Sequence, residues 1–185
     1  MKIKPTNQKT KFGNEVVIRE AKSSDANGLI DCIKTYLKSN FIPLTPEEFS
    51  PTLEEQEEWI SNYIYGKNDL LLIAEHKGQI IGNIDLTIHH RKMLNHTGYL
   101  GMGIHEDWQN QGIGTILLER LIEWSDIQPE IEILWLQVFG NNEKGIRIYQ
   151  KNGFVEDGRQ KEFIKNMNGV YIDNVIMTRR KATKC

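Results

Sequence analysis

The order of elements in this chain of 185 residues predicts an α/β fold: a mixed, mostly antiparallel, twisted sheet of six to seven strands with about four helices. Two observations carry that expectation. Apolar periodicity runs strand, two helices, three strands, helix, strand, helix, two strands, an order that a plain βαβ repeat does not produce. In the middle, Leu100–Leu118 (LGMGIHEDWQNQGIGTILL) joins a strand of alternating apolar and very small residues to an apolar-periodic helix through a turn holding two glycines.

Taken in order, residues 1–13 read as a polar, flexible leader and Glu15–Arg19 as the first strand. Ser23-Ser24-Asp25 caps a helix carrying Ala26, Leu29, Ile30, Ile33 and Leu37 at helical spacing. Pro43, Pro46 and Pro51 punctuate a loop. Thr52-Leu53-Glu54-Glu55 is a capping box for a second helix, with Leu53, Trp59, Ile60, Tyr63 and Ile64 as its apolar side. Leu70–Ala74 and Ile80–Ile88 flank Lys77-Gly78-Gln79, a hairpin signal. Tyr99–Ile104 is the fourth strand, and the helix from about Ile113 to Asp126 stops before Pro129. A fifth strand at 133–139, a helix from Asn142 to Lys151 and two closing strands near 154–164 and 170–178 complete residues 14–180 as one domain, with 181–185 a flexible tail.

Composition excludes several classes. Lys and Arg number 23 against 25 Asp and Glu, a formal charge of −2, so no basic surplus speaks for nucleic acid. No apolar run approaches the roughly 18 residues of a membrane span, and the basic start lacks the apolar core of a secretory signal. Cys32, inside a helical pattern, and Cys185, the last residue, do not make a disulfide framework, so a cytoplasmic setting is expected. His89, His90, His96 and His105 are scattered, and neighbours on a strand face opposite ways, so no metal site is expected.

The glycine turn is where chemistry enters. Free N–H groups and the positive end of a helix dipole make a ready anion site, and Gly112 and Gly114 let phosphate oxygens reach main chain. The nucleotide loop G-x-x-x-x-G-K-[ST] is ruled out because no Lys follows either glycine. The dinucleotide pattern needs a third Gly or Ala where Leu117 stands, although Glu132 lies near its acidic position. What remains is Gln109-x-x-Gly112-x-Gly114. It resembles the [QR]-x-x-G-x-[GA] signature of the GNAT superfamily of acyl-CoA N-acyltransferases, with Asn110 where many members have Gly. A second block strengthens the resemblance: Asn142 to Phe154 is similar to N-x-x-A-x-x-[LF]-Y-x-x-x-G-F, with Gly145 in place of Ala, a change that weakens a helix by about 1 kcal/mol.

The resemblance implies a sheet splayed between its fourth and fifth strands, with acetyl-CoA in the gap and its acetyl group passed directly to an amine. It implies cofactor contacts from Met102, Ile104, Gln109, Asn110, Gln111, Gly112, Ile113, Gly114, Thr115, Asn142 and Lys144, with Arg147 a further positive charge near the phosphates and the Ile104 N–H polarising the thioester carbonyl. It implies Tyr149 as general acid to the departing thiolate, its phenol being protonated at neutral pH with a pKa of about 10. Asn142 also suits a helix N-cap, and the two roles are compatible. Glu75, Asp85, His105 and Glu106 are the candidate bases by strand position, with no choice among them, and the resemblance leaves solvent or a water chain as the alternative. A non-catalytic acyl-CoA-binding sensor or scaffold is the alternative. The acidic run Glu54, Glu55, Glu57 and Glu58 reads as a solvated first helical turn or as a rim for a cationic acceptor.

The ending Gly169-x-Tyr171-x-Asp173-x-x-x-Met177 resembles that of a bacterial branch acting on small amines and protein N-termini. The partner expected is therefore a small-molecule or peptide amine, and the chain a monomer or homodimer. The acceptor groove is expected between the first two helices with their linking loop (about Tyr36 to Glu58) and the hairpin from Lys165 to Tyr171, with Phe41, Trp59 and Tyr171 as apolar walls and Glu54 or Glu58 at the rim.

Overall fold

The computed structural model describes residues 2–39 and 41–181, so Cys185 and most of the expected tail lie outside the described residues. Eight strands form one sheet: β1 Thr6–Lys9, β2 Glu15–Glu20, β3 Leu70–His76, β4 Gln79–Ile88, β5 Thr97–Ile104, β6 Ile133–Phe139, β7 Val155–Lys165 and β8 Tyr171–Arg180. Their order is β1-β2-β3-β4-β5-β6-β8-β7, antiparallel except for the pair β5–β6. Helices α1 Ala26–Tyr36 and α2 Leu53–Tyr65 cover one face, α3 Ile113–Ile127 and α4 Glu143–Lys151 the other.

Period-two alternation assigns the two cores. On β3, Leu70, Leu72 and Ala74 join the α3 side with Leu117, Leu118 and Leu121, while Leu71 and Ile73 join the α1 side with Leu29, Ile33 and Ile60. The β3–β4 turn is tight because Lys77 and Gly78 both adopt positive φ, 48° and 84°. Just beyond it the register slips: Ala74 faces Gly82 but Glu75 faces Ile80, leaving Ile81 as the extra residue of a bulge.

The sheet opens between β5 and β6. Only Thr97–Ile133, Gly98–Leu134 and Tyr99–Trp135 pair, after which Leu100–Ile104 stays on β4 and Leu136–Phe139 stays on β8. This is the expected splay, at the fifth and sixth strands once the leader is counted.

Three expectations are corrected. The leader is not frayed: Thr6–Lys9 pairs with Glu15–Ile18, Ile3 is buried at 5% exposure, and the Lys2 ammonium donates to the carbonyls of Tyr63, Gly66 and Asp69 at 2.5–2.6 Å. Its polar sequence hides a strand whose order comes from edge pairing and from capping the end of α2. Asp25 does not cap α1 with its side chain; its carboxylate takes the Arg19 guanidinium in two bonds of 2.7 and 2.8 Å. On α2, Leu53 and Ile64 are exposed at 45% and 38%, and Gln56, 4% exposed, holds an inward position instead. The Thr52–Glu55 capping box forms as expected.

Because Ile3 is built into the core, Ile3→Ala is expected to destabilise the protein by about 2–5 kcal/mol. Urea denaturation checks this; a change near zero would restore the frayed leader.

Candidate active site

The gap between β5 and β6 leads into a cleft of about 480 Å³ on the α1–α2 face. Its floor is Asn83 and Asp85 of β4 with Tyr99–Met102 of β5, and Gln137 and Val138 of β6 form the far bank. Tyr36, Gln56 and Trp59 overhang it, the loop from Phe41 to Pro51 closes one side, and Asn142 and Tyr149 of α4 close another.

Small residues on β5 make the room. A Cβ on Gly103 would stand 2.3 Å from the Tyr36 ring, and one on Gly101 would stand 3.1 Å from Asp85 Oδ1. Tyr36 is thereby laid flat against the strand, its hydroxyl donating to Asn83 Oδ1 at 3.1 Å. Tyr63, one helical face below Gln56, brings its hydroxyl to 3.5 Å from Asp85 Oδ2 and 3.1 Å from Thr87 Oγ1.

Desolvation sets the charge states. It raises the Asp85 carboxyl to about 7, with the Tyr63 hydroxyl and the Gly101 amide opposing the shift. It also raises the Tyr149 phenol above its ordinary value, keeping it protonated across the neutral range. Tyr149 packs edge-on to Phe154 at 5.8 Å, and its hydroxyl has no protein partner among the described residues. Of the other candidate bases, Glu75 is held by Arg19 at 2.7 Å, Glu106 by Lys38 at 3.2 Å, and neither these nor His105 line the cleft. Asp85 alone of the four does.

The glycine turn lies around the edge of β5, at the start of α3. Gly112 adopts φ 91° as the N-terminal cap, and the first helical bond is Ile116 N–H to the Gly112 carbonyl. The N–H groups of Gln111 to Thr115 therefore have no protein acceptor among the described residues. Asn110 takes the left-handed conformation (φ 62°), and Lys144 Nζ donates to its Oδ1 at 3.0 Å, tying α4 to the turn. Gly114 allows close approach to β5, since a Cβ there would stand 3.3 Å from Met102 Cε. Gln109 Nε2 donates to the Ile104 carbonyl at 3.3 Å, on the open side of the strand. The His105 N–H goes to Ile81 of β4, so strand alternation turns the amides of Met102 and Ile104 into the gap.

Of the sequence-predicted residues, the cleft wall gathers Met102, Asn142 and Tyr149, while Ile104, Gln109–Thr115 and Lys144 group around the turn. Asn142 caps α4, accepting from the Gly145 N–H at 3.0 Å. Gly145 explains itself here: a Cβ would stand 2.8 Å from Asn142 Nδ2. Arg147 is paired with Glu143 on the surface. The closing hairpin does not line the cleft, and Tyr171 is 57% exposed beneath Lys165, so that half of the expected groove is corrected. From the acidic run it is Glu55, not Glu54 or Glu58, that reaches the wall. Sequence reasoning placed the segment from about Tyr36 to Glu58 at the groove without singling out Gln56; it missed Asn83, and it missed Lys11, whose side chain lies against Gly112 while its N–H donates to the Gln111 carbonyl at 2.9 Å.

Comparison with known proteins agrees with this geometry. The Acetyltransferase (GNAT) family model matches residues 33–154. This chain belongs to the GNAT acetyltransferase family. It is 26% identical to an L-amino acid N-acetyltransferase of Escherichia coli over 172 residues, 91% of this chain and 99% of that one. A GNAT-family acetyltransferase structure from Streptococcus pneumoniae superposes with TM-score 0.85 at 31% identity, covering 89% and 99% of the two chains. The fold is also shared with a Salmonella typhimurium protein solved with its cofactor acetyl-CoA, at TM-score 0.80 and 17% identity over 92% and 96% of the chains. No helix among the described residues is long and apolar enough to cross a membrane.

The raised Asp85 carboxyl makes a stability prediction. Between the unfolded value of about 4 and the folded value of about 7 the native state holds the extra proton, so stability falls as pH rises through that window. Asp85→Asn should shrink the drop in unfolding free energy between about pH 4.5 and about pH 8. An identical drop in the variant, measured by urea titration, would remove Asp85 as its source.

Proposed function

We propose that this GNAT enzyme moves the acetyl group of acetyl-CoA to a primary amine, with Asp85 as base and Tyr149 as acid. The observation that carries the reading is that one desolvated cleft, opening from the parted strands, holds both a carboxyl poised near neutrality and a phenol kept protonated.

The residues present fit the cofactor. The free amides of Gln111 to Thr115, uncapped and with no Cβ at Gly112 and Gly114, suit a pyrophosphate, and Lys144 and Lys11 lie beside them. The amides of Met102 and Ile104 suit the pantetheine arm as a pseudo-strand. Bound there, acetyl-CoA supplies an activated acyl thioester. Asp85 Oδ takes a proton from the incoming ammonium, which frees the nitrogen lone pair for attack. Tyr149 Oη gives its proton to the sulfur as the C–S bond breaks, and the phenolate left behind takes the second proton from the acetylated nitrogen. A strand amide at Met102 or Ile104 is the oxyanion donor. Asn142 fixes the start of α4 and with it the position of Tyr149 on that helix.

Three outcomes check this. Gly114→Val should weaken acetyl-CoA binding at least tenfold by calorimetry, because the new side chain meets Met102 and covers the turn amides. Tyr149→Phe should bind acetyl-CoA normally and lose about 10²–10⁴-fold in kcat. In the parent protein kcat/KM should rise through about pH 7 as Asp85 ionises, a limb that Asp85→Asn should abolish. Full turnover in Tyr149→Phe would return that side chain to a packing role.

A further inference from the structure

We infer, on the basis of the acetyl-transfer reading above, that the acceptor is an amine with an apolar body and an uncharged carbonyl oxygen close to the nitrogen, as in an aminoacyl amide or the first residue of a peptide. Free amino acids are discriminated against. Gln56 is the observation that selects the carbonyl. It sits on α2 one turn before Ile60, is 4% exposed and lines the cleft, and its Nε2 has no hydrogen-bond partner among the described residues. A buried amide donor left unpaired costs stability, which a ligand oxygen arriving in the cleft would return.

Charge decides which oxygen. The ionisable groups of the wall are Asp85, Glu55 and tyrosine hydroxyls, and no Lys, Arg or His stands among its described residues. Of the cations near the wall in sequence, Arg19 and Lys38 are committed to Asp25 with Glu75 and to Glu106, Lys144 donates to Asn110 Oδ1, and Lys34 is exposed on α1 outside the lining. An ammonium entering this cleft meets Asp85. An α-carboxylate entering with it would be desolvated next to a like charge with no cation to pair it. A neutral carbonyl carries no such penalty and satisfies Gln56. Phe41, Ile42, Phe49 and Trp59 then offer an apolar and aromatic enclosure for the acceptor's side chain.

The test uses matched acceptors sharing one side chain: phenylalaninamide, phenethylamine and phenylalanine, then leucinamide, isopentylamine and leucine, with Phe-Gly-Gly as the peptide arm. Thiol release from acetyl-CoA by the full chain is the readout. The amides and the peptide should exceed the plain amines about tenfold in kcat/KM, as one recovered hydrogen bond allows, and the free amino acids about a hundredfold. Gln56→Met, which keeps volume and removes the donor, should bring the amide-to-amine ratio within about twofold. A free amino acid that matches its amide overturns the proposal, as does a ratio unchanged in Gln56→Met. Transfer to none of the seven, with acetyl-CoA binding intact by calorimetry, rejects this acceptor class and leaves the cofactor site standing. Failure to bind acetyl-CoA sinks the transferase reading and this proposal together.

Discussion

The parting of β5 from β6 is the constraint on which the rest of this structure depends. Three residue pairs hold the strands at Thr97–Tyr99, and beyond them each strand keeps its other neighbour and loses this one. An interior strand cannot leave backbone amides unpaired without consequence. The gap is therefore a demand for a ligand with peptide-like groups, placed in the middle of the sheet. It also gives access from one face to the other: α3 begins on one side of the opening, and the cleft under α1 and α2 lies on the other. A phosphate-bearing ligand held at the α3 N-terminus can thus present its far end in the cleft without crossing packed core.

One physical effect sets the protonation of both groups to which the proposed function gives proton transfer. Desolvation disfavours the charged form, so it moves carboxyl and phenol upward alike. For Asp85 that upward shift reaches the neutral range, where a carboxylate becomes a base of useful strength. For Tyr149 the same shift suppresses ionisation and preserves the donor. The opposite roles proposed for them rest on a common cause, because the two groups start from ordinary values on opposite sides of neutrality. Tyr36 and Tyr63 are raised in the same surroundings, but both hydroxyls already have partners, Asn83 for one and Thr87 with Asp85 for the other. They hold the site's shape and Tyr149 is left with the free hydroxyl.

What could be read from the sequence was what local chain geometry dictates. The α3 start was legible because a left-handed φ at Gly112 and a close approach at Gly114 are demands on single residues, written as glycines. The element order followed from apolar periodicity, and the splay and the place of Tyr149 from the family resemblance that the glycine turn and the Asn142–Phe154 block carry. The parts not legible depend on packing between distant segments. Polar Thr6–Lys9 has no apolar alternation, and it is a strand because β2 offers an edge and Lys2 and Ile3 are anchored on either side of it. Asp85 could not be chosen over Glu75, since their difference lies in partners: Arg19 neutralises one and the aromatic cleft desolvates the other. Gln56 sat in a helix whose apolar spacing was met by other residues, so nothing local marked it as buried.

The polar groups that the fold leaves unpaired converge on one place. The α3 amides face the turn, the Met102 and Ile104 amides face the gap, and Gln56 Nε2 and the Tyr149 hydroxyl face the cleft. Elsewhere buried polar atoms without a partner are few among the described residues, with Thr6 Oγ1 and Arg120 Nε away from the site. Each unpaired group subtracts from folding stability, yet together they form a template that runs from phosphate to acceptor. A fold selected for stability alone would cap α3 with a side chain, zip β5 to β6 and place a leucine at position 56. That this chain does none of the three follows from a single requirement. On the proposed reading, that hydrogen-bonding capacity is kept for acetyl-CoA and an amine arriving in register with Asp85 and Tyr149, so that binding both of them completes the sheet and aligns the reacting atoms.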